Sequence, residues 1–202
     1  MTFKVAAQNH LVGMKVGANR STVYSSNYPY PFKYLTGVNT GITYEFLLSK
    51  HFSLGADLLY NQLGYKTNFS FDEDDGGSEV VRKNEFNVNL DYISLPIKAG
   101  VILGDRYFAY SNIGIISSLL IKTQTGYPEF VFKTKRVPKF DIAGLAEIGF
   151  GCKIKNKYSL YTACAYQHGF TTISKNSYFS NNILKYRAFT VSIGLKYALT
   201  KE

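Results

Sequence analysis

The segment at positions 191–199 has two faces of opposite character, and this alternation constrains the fold more than any other feature. Because successive side chains of a β-strand point to opposite sides, every second residue here shares one face. One face is apolar and comprises Val191, Ile193, Leu195, Tyr197 and Leu199. The other face comprises Ser192, Gly194, Lys196 and Ala198. A strand of this kind needs an apolar environment, protein or lipid, on one side only.

The same alternation recurs through the chain between short turns and longer connections. Short turns at 49–51, 104–106 and 156–157 predict hairpins, so neighbouring strands are antiparallel. An even number of such strands closes into a barrel without a free edge. The sequence therefore predicts an all-β fold, an eight-stranded antiparallel up-and-down transmembrane β-barrel over residues 10–202, with a short tail at 1–9. The predicted strands are 11–22, 35–48, 52–66, 86–102, 107–122, 139–155, 158–172 and 186–199.

The polarity of the faces predicts that the barrel lies in lipid. An apolar outer face with a charged inner face is the reverse of a soluble barrel. No run of about 18 apolar residues occurs, so a transmembrane helix is not expected. Since about ten residues cross the membrane, the longer strands should project beyond it on one side. The residues expected to face lipid include Leu54, Leu58, Ile93, Leu95, Ile97, Ile148, Val191 and Ile193.

Composition agrees with a membrane barrel and argues against a nucleic-acid partner. The chain has 17 Tyr, 15 Phe and no Trp, so Tyr would supply the aromatic girdles of the two interfaces. The net charge is +9, which can indicate nucleic-acid binding. However, Lys and Arg are spread along strands and loops, without a basic helix or an RNP-type motif. We therefore expect no nucleic-acid partner.

Eight charged residues fall on the predicted inner faces, four of each sign. They are Lys15, Glu45, Asp57, Lys98, Asp141, Glu147, Lys153 and Lys196. An eight-stranded barrel has an interior just wide enough for side chains to fill, and buried charges must be paired. The sequence predicts an ion-pair network that plugs the lumen, with Lys98 pairing with Asp57 or Glu45. A gated conduit or proton path is the alternative.

Two connections carry strong charge. Residues 72–79 are mostly acidic and predict a solvated loop, with a weak Ca²⁺ site as the alternative, because carboxylates are hard oxygen ligands. The third long loop interleaves cations with Phe130 and Phe132. Its cations suit the phosphates of lipopolysaccharide, unless this loop merely extends strands five and six. They are Lys133, Lys135, Arg136 and Lys139.

No catalytic, cofactor or metal site is expected. His10 and His51 lie near the short-turn end, whereas His168 lies at the opposite end on the outer face, so no Ser/His/Asp set meets on one rim. Cys152 and Cys164 fall on the outer faces of strands six and seven. With Cys152 opposite about Tyr161, the two thiols lie roughly 10 Å apart along the strand, too far for a disulfide.

Several segments, taken in order, carry a family resemblance. They are 13–21, 52–60 with Gly64 and Tyr65, 92–98, 140–149 and 165–173. Together they resemble the outer membrane protein β-barrel domain family often labelled PorT-like, and the Tyr-x-x-x-Pro stretch from Tyr92 to Pro96 is the most specific part. Pro96 also predicts a bulge or a missing hydrogen bond in strand four.

The resemblance implies an outer-membrane barrel of about eight strands with little assigned chemistry. Some members of the family are linked to protein secretion across the outer membrane. Gly194, Tyr197 and Leu199 resemble the C-terminal signal by which such barrels reach their assembly machinery. This chain departs from the family in strand seven, where Ala163, Ala165 and Gln167 replace the charges often found inside.

We therefore expect a monomeric outer-membrane barrel with a structural or interaction role carried by its extracellular loops. Its expected partners are outer-membrane lipid and lipopolysaccharide, the barrel assembly machinery during biogenesis, and a protein partner at the loops. The alternatives are an accessory subunit of a secretion or assembly complex, a small pore, and a soluble lipocalin-like barrel.

Overall fold

The structure is a computed structural model of the 202-residue chain. It describes residues 9–24, 32–74, 79–125, 138–154, 157–172 and 184–199. These ranges contain no helix long and apolar enough to cross a membrane.

Eight strands form one closed antiparallel barrel, each hydrogen-bonded to the next and β8 to β1. The predicted fold class is thereby confirmed. The strands are β1 Asn9–Tyr24, β2 Lys33–Leu47, β3 Phe52–Asp74, β4 Glu79–Leu103, β5 Tyr107–Thr125, β6 Phe140–Ile154, β7 Tyr158–Gly169 and β8 Lys185–Ala198.

The strand registers stagger by ten residues around the barrel. A path that starts at Val12 and always steps to the paired residue returns to β1 at Thr22. It passes Tyr44, Ala56, Ile97, Ile115, Gly144, His168 and Arg187. Such a stagger requires tilted strands, and with eight strands it leaves a lumen that side chains can fill.

The two faces of the barrel wall have the predicted polarity through most of its height. All eight residues predicted to face lipid lie on the outside, with 37–64% of their surface exposed. Inner-face residues such as Lys15 and Asp57 are buried. This arrangement places apolar surface on the outside of the barrel and charge in the lumen, the polarity that a barrel in lipid requires.

The acidic segment differs from its prediction, because most of it belongs to strands rather than to a loop. β3 continues to Asp74 and β4 begins at Glu79, and these two residues are paired. Only 75–78 of this segment lie outside the described residues. The prediction failed because polar strand ends carry no apolar alternation, whereas backbone ladders form irrespective of side-chain polarity.

Pro96 interrupts a ladder without a bulge. Between β3 and β4, pairing is present at Ala56 with Ile97 and again at Leu59 with Ser94, with the same register on both sides of the gap. The gap lies at Pro96, which has no N–H to donate. The register shift of β4 against β5 lies instead between Asp91 and Tyr92. Of the two predicted alternatives, the missing hydrogen bond therefore fits and the bulge at Pro96 does not.

At the strand ends opposite the short turns, the polarity of the wall reverses. The interior there contains an apolar cluster formed by Val23, Leu63, Val88, Leu90, Tyr92, Tyr186 and Ala188. Exposed outer positions at this level include Thr36, Asn87 and Gln124. This end of the barrel has the polarity of a soluble barrel, as expected for strands that project into water.

Candidate functional site

Four charged side chains from four strands meet in the middle of the lumen. Lys15 of β1 and Lys98 of β4 each place Nζ 2.9 Å from Oδ2 of Asp57 on β3. The same two ammonium groups lie 3.8 and 3.3 Å from the carboxylate of Glu147 on β6. These side chains are at most 10% exposed. Two cations thus bridge two anions across the lumen, and we call this group the central ion cluster.

A buried amide completes the central ion cluster. Asn112 of β5 donates from Nδ2 to Oε1 of Glu147 at 2.7 Å, on the side of Glu147 that faces β5. Charge-assisted hydrogen bonds of this kind offset the cost of removing a carboxylate from water. Asn112 was not among the predicted site residues, since an uncharged amide has no distinctive sequence signal.

A second ionic layer lies towards the short-turn end of the barrel. Lys196 of β8 donates to Oε2 of Glu45 on β2 at 2.5 Å. Its ammonium group also lies 4.6 Å from the ring centre of Tyr161 and 5.4 Å from that of Tyr110. One lysine therefore contacts a carboxylate and the faces of two aromatic rings, which add a cation–π attraction to the ion pair.

Glycines create the space for those two rings. A Cβ atom on Gly149 would lie 2.2 Å from Cζ of Tyr110, and one on Gly194 would lie 2.3 Å from Cζ of Tyr161. Both distances are too short for any side chain at these positions. Each ring therefore packs directly on the backbone of the neighbouring strand. Gly194, a member of the predicted assembly signal, therefore has a packing role inside the barrel.

Neutral polar groups occupy the lumen above the central ion cluster. Asn19 and Asn39 both donate to Oδ1 of Asn61, at 2.8 and 3.2 Å. The hydroxyl groups of Ser94 and Ser118 are 2.8 Å apart. A cavity of about 30 Å³ lies among these amides, the cluster and Gln167, with room for about one water molecule.

The apolar cluster closes the lumen above this polar layer. Tyr92 and Tyr186 pack edge to face, with ring centres 6.4 Å apart, beside the buried Leu63 and Leu90. The sequence analysis missed this layer because it assigned a polar inner face to the whole barrel. The sequence feature that indicates this layer is a leucine at an inward position of each of the two longest strands, Leu63 in β3 and Leu90 in β4.

Six of the eight predicted lumen charges lie in these two ionic layers, and two do not. Asp141 lies at the end of the barrel opposite the short turns, where the Thr171 hydroxyl donates a hydrogen bond to it. Lys153 is exposed at the short-turn end and makes no ion pair with any described residue. Both occupy inward positions of β6. Lys153 lies in solvent, where a charge needs no ion-pair partner, whereas Asp141 is buried and is bonded by a hydroxyl group instead of a cation.

Most of the predicted lipopolysaccharide rim lies outside the described residues, namely Lys133, Lys135 and Arg136. Lys139 is described and is exposed beside the start of β6. At the other end of the barrel, Tyr197 packs against Tyr158 with ring centres 5.1 Å apart. The N–H group of Leu199 donates to the carbonyl oxygen of His10, which ties the C-terminal end to β1.

The histidines and cysteines lie apart from the lumen layers. His10 Nδ1 is 2.7 Å from the hydroxyl oxygen of Tyr44, and His168 lies on the outer face near the C-terminal end of β7. Cys152 and Cys164 are free. Cys152 pairs with Leu160 rather than with about Tyr161, because the β6–β7 turn sets the register one residue differently. The described residues contain no cluster of metal-ligating side chains.

Fold, polarity and lumen together define an outer-membrane β-barrel. The outer membrane protein beta-barrel domain family matches residues 6–202, and the chain belongs to this family. The outer membrane is accordingly its location. No curated protein matches the chain.

Solved barrels of other outer-membrane proteins share the fold. OprG from Pseudomonas aeruginosa has a TM-score of 0.59 at 9% identity, over 96% of this chain and 98% of OprG. The outer membrane protein AlkL, solved in DMPC bilayers, has a TM-score of 0.52 at 11% identity, over 100% of this chain and 94% of AlkL. At such low identity these similarities concern the fold alone.

Proposed function

We propose that this protein is a non-conducting outer-membrane barrel with a structural or interaction role and no catalytic activity. The central ion cluster is the observation that carries this proposal. Its side chains reach across the lumen from β1, β3, β4 and β6, and each charge is paired with charges of the opposite sign.

The charges of the cluster favour a closed state over an open one. Separating Lys98 from Asp57 and Glu147 would leave buried charges without partners, which is costly. Asp57 is bonded by two lysines at once, so moving one lysine does not open the lumen. A conduit would require several of these contacts to break together.

The apolar cluster supports the same proposal independently. It lies at the extracellular end, and Tyr92, Tyr186, Leu63 and Leu90 are almost fully buried there. Ions do not cross a packed apolar layer without losing their hydration. A solute would therefore meet two barriers of different chemistry in series.

Planar bilayer recordings test the proposal. The purified full chain should give no steady conductance, and Tyr186→Ala should also remain silent because the central ion cluster is still intact. The combined variant Tyr186→Ala, Lys15→Ser, Lys98→Ser removes both barriers and should conduct if it inserts. Steady conductance from the unmodified protein would contradict the proposal.

An interaction role is further supported by the cations of the extracellular end. Arg20 and Lys139 are exposed there, and neither forms an ion pair within the described ranges. The predicted lipopolysaccharide contacts of the third loop, an assembly-machinery contact at the C-terminus, and a protein partner at the loops belong to this proposal. Crosslinking in native membranes, with photo-reactive groups at Lys139 and at Tyr197, would separate these partners.

A further inference from the structure

The outer surface of the barrel carries a basic and aromatic group where β7, β8 and β1 end. Arg187 of β8 is paired with His168 of β7 on one side and with Thr22 of β1 on the other. Its guanidinium carbon lies 4.1 Å from the ring centre of Tyr24. These residues lie within a few positions of the extracellular strand ends, the level at which lipid headgroups meet the barrel.

Arg187 has a preset orientation, and none of the described residues gives it an acidic partner. No ion pair of Arg187 occurs within the part of the chain that the structure describes, and Nε of its guanidinium group is buried without a hydrogen-bond acceptor. A guanidinium group donates in a planar fork that matches phosphate oxygens, and stacking on Tyr24 limits the freedom that binding would remove. The group is therefore prepared for an oxyanion.

An apolar groove of about 800 Å³ begins beside this basic group and descends along the lipid-facing wall. Tyr166 and His168 form its upper end, where their side chains stack with Tyr166 Oη 3.5 Å from His168 Nδ1. Lower down it is lined by Ile115, Ile113, Ala146 and Ile97. The groove exists because Ala146 is small between larger neighbours, and its lining is almost entirely apolar.

We propose that Arg187, His168 and this groove bind a phosphorylated glycolipid of the outer leaflet, with the phosphate at Arg187 and an acyl chain in the groove. The guanidinium group at the upper end suits the phosphate of such a lipid, and the apolar groove below suits its acyl chain. The net charge of +9 favours its approach. This site differs from the predicted third-loop rim and does not depend on whether the lumen conducts.

Native mass spectrometry of the full-length barrel in nanodiscs can measure the binding. The probes are diphosphorylated lipid A, the same lipid without phosphates, and the soluble deacylated disaccharide diphosphate. The unmodified protein should retain the first probe in clear preference to the other two. Equal retention of the dephosphorylated lipid would overturn the phosphate contact, and equal binding of the soluble headgroup would overturn the acyl contact.

Two variants separate the two ends of the site. Arg187→Gln should weaken retention of diphosphorylated lipid A about tenfold, the effect of losing a charge-assisted contact. Ala146→Phe fills the groove and should weaken lipid A binding while leaving the soluble headgroup unaffected. Unchanged binding in both variants would refute the site.

Matched controls exist at the opposite end of the barrel. Arg106 also lies over a tyrosine ring, 5.9 Å from the centre of Tyr107, but at a short turn. Arg106→Gln should leave lipid A retention unchanged, and so should Ala109→Phe, which alters a different groove. A loss in these controls equal to that in Arg187→Gln and Ala146→Phe would mean nonspecific annular lipid and would overturn the proposal.

Discussion

Lys98 donates a 2.9 Å hydrogen bond from Nζ to Oδ2 of Asp57, beside the gap that Pro96 leaves in the β3–β4 ladder. The strand contacts on either side keep the same register, so the two missing pairs do not displace either residue. Asp57 also receives Lys15 from β1. One carboxylate thus joins three strands of the barrel wall at mid-height.

Replacing Lys98 with Met should lower the stability of the barrel. Asp57 and Glu147 would keep only Lys15 as a cationic partner, and breaking a buried ion pair costs about 3–5 kcal/mol. Urea unfolding in lipid vesicles measures the change. Lys153→Met is the matched control, because Lys153 is exposed, and it should have little effect. Equal stability of Lys98→Met and the unmodified protein would indicate a hydrated lumen.

Leu95 tests the lipid-facing side of the same strand. It is exposed on the outer wall, one position from Pro96, and Arg at mid-membrane should cost about 2–4 kcal/mol. Folding titrations in vesicles would report this loss for Leu95→Arg. Gln124→Arg, on the outer face of the strand ends that extend past the apolar band, should cost far less. Similar costs at both positions would contradict the placement of the membrane.

Much of this architecture could be predicted from the sequence, because the membrane imposes a period on the strands. The prediction fails where that period ends. Lipid on one side and a charged lumen on the other impose a strict two-residue period, so six of the eight strands end within three residues of their predicted bounds. β3 and β4 extend into water, where that period is lost. Their extra length could not be deduced from side-chain polarity.

Within the candidate site, only the ion pairs between neighbouring strands could be predicted from the sequence. Asp57 and Lys98 lie on adjacent strands, and their pairing was expected. The contact of Lys15 with Glu147 joins β1 to β6 across the lumen, and it depends on the stagger of the barrel. Alternation assigns a residue to a face, but it contains no information about stagger. The contacts of Lys196 with the rings of Tyr110 and Tyr161 were not predicted, for the same reason.

The orientation of the barrel predicts which segments a protease can reach. Short turns face the periplasm in outer-membrane barrels, and long connections face outward. On intact cells, trypsin should cut at 133–136. Lys50 and Arg106 should be cut only after the outer membrane is permeabilised. Cleavage at Lys50 on intact cells would reverse the topology.

Gly194 provides a test that separates packing from an assembly signal. A Cβ atom there would collide with the Tyr161 ring, so Gly194→Ala should destabilise the folded barrel by about 1–3 kcal/mol, the usual cost of overpacking. Unfolding of the refolded protein in vesicles measures this without any assembly machinery. Combining Gly194→Ala with Tyr161→Ala removes the ring, so the added methyl group should then cost little.

The two roles predict different results in cells. If packing is the role of Gly194, adding Tyr161→Ala should relieve the defect of Gly194→Ala in vesicles and in membranes alike, relative to Tyr161→Ala alone. If the glycine acts through the assembly signal, membrane insertion should stay impaired in the double variant although its folding in vesicles recovers. Gly149→Ala, which meets the ring of Tyr110 in the same way but lies in β6, is the matched control for packing alone. A stable Gly194→Ala barrel in vesicles would show that Tyr161 can move aside, and that the close approach of ring and backbone is not what requires glycine at this position.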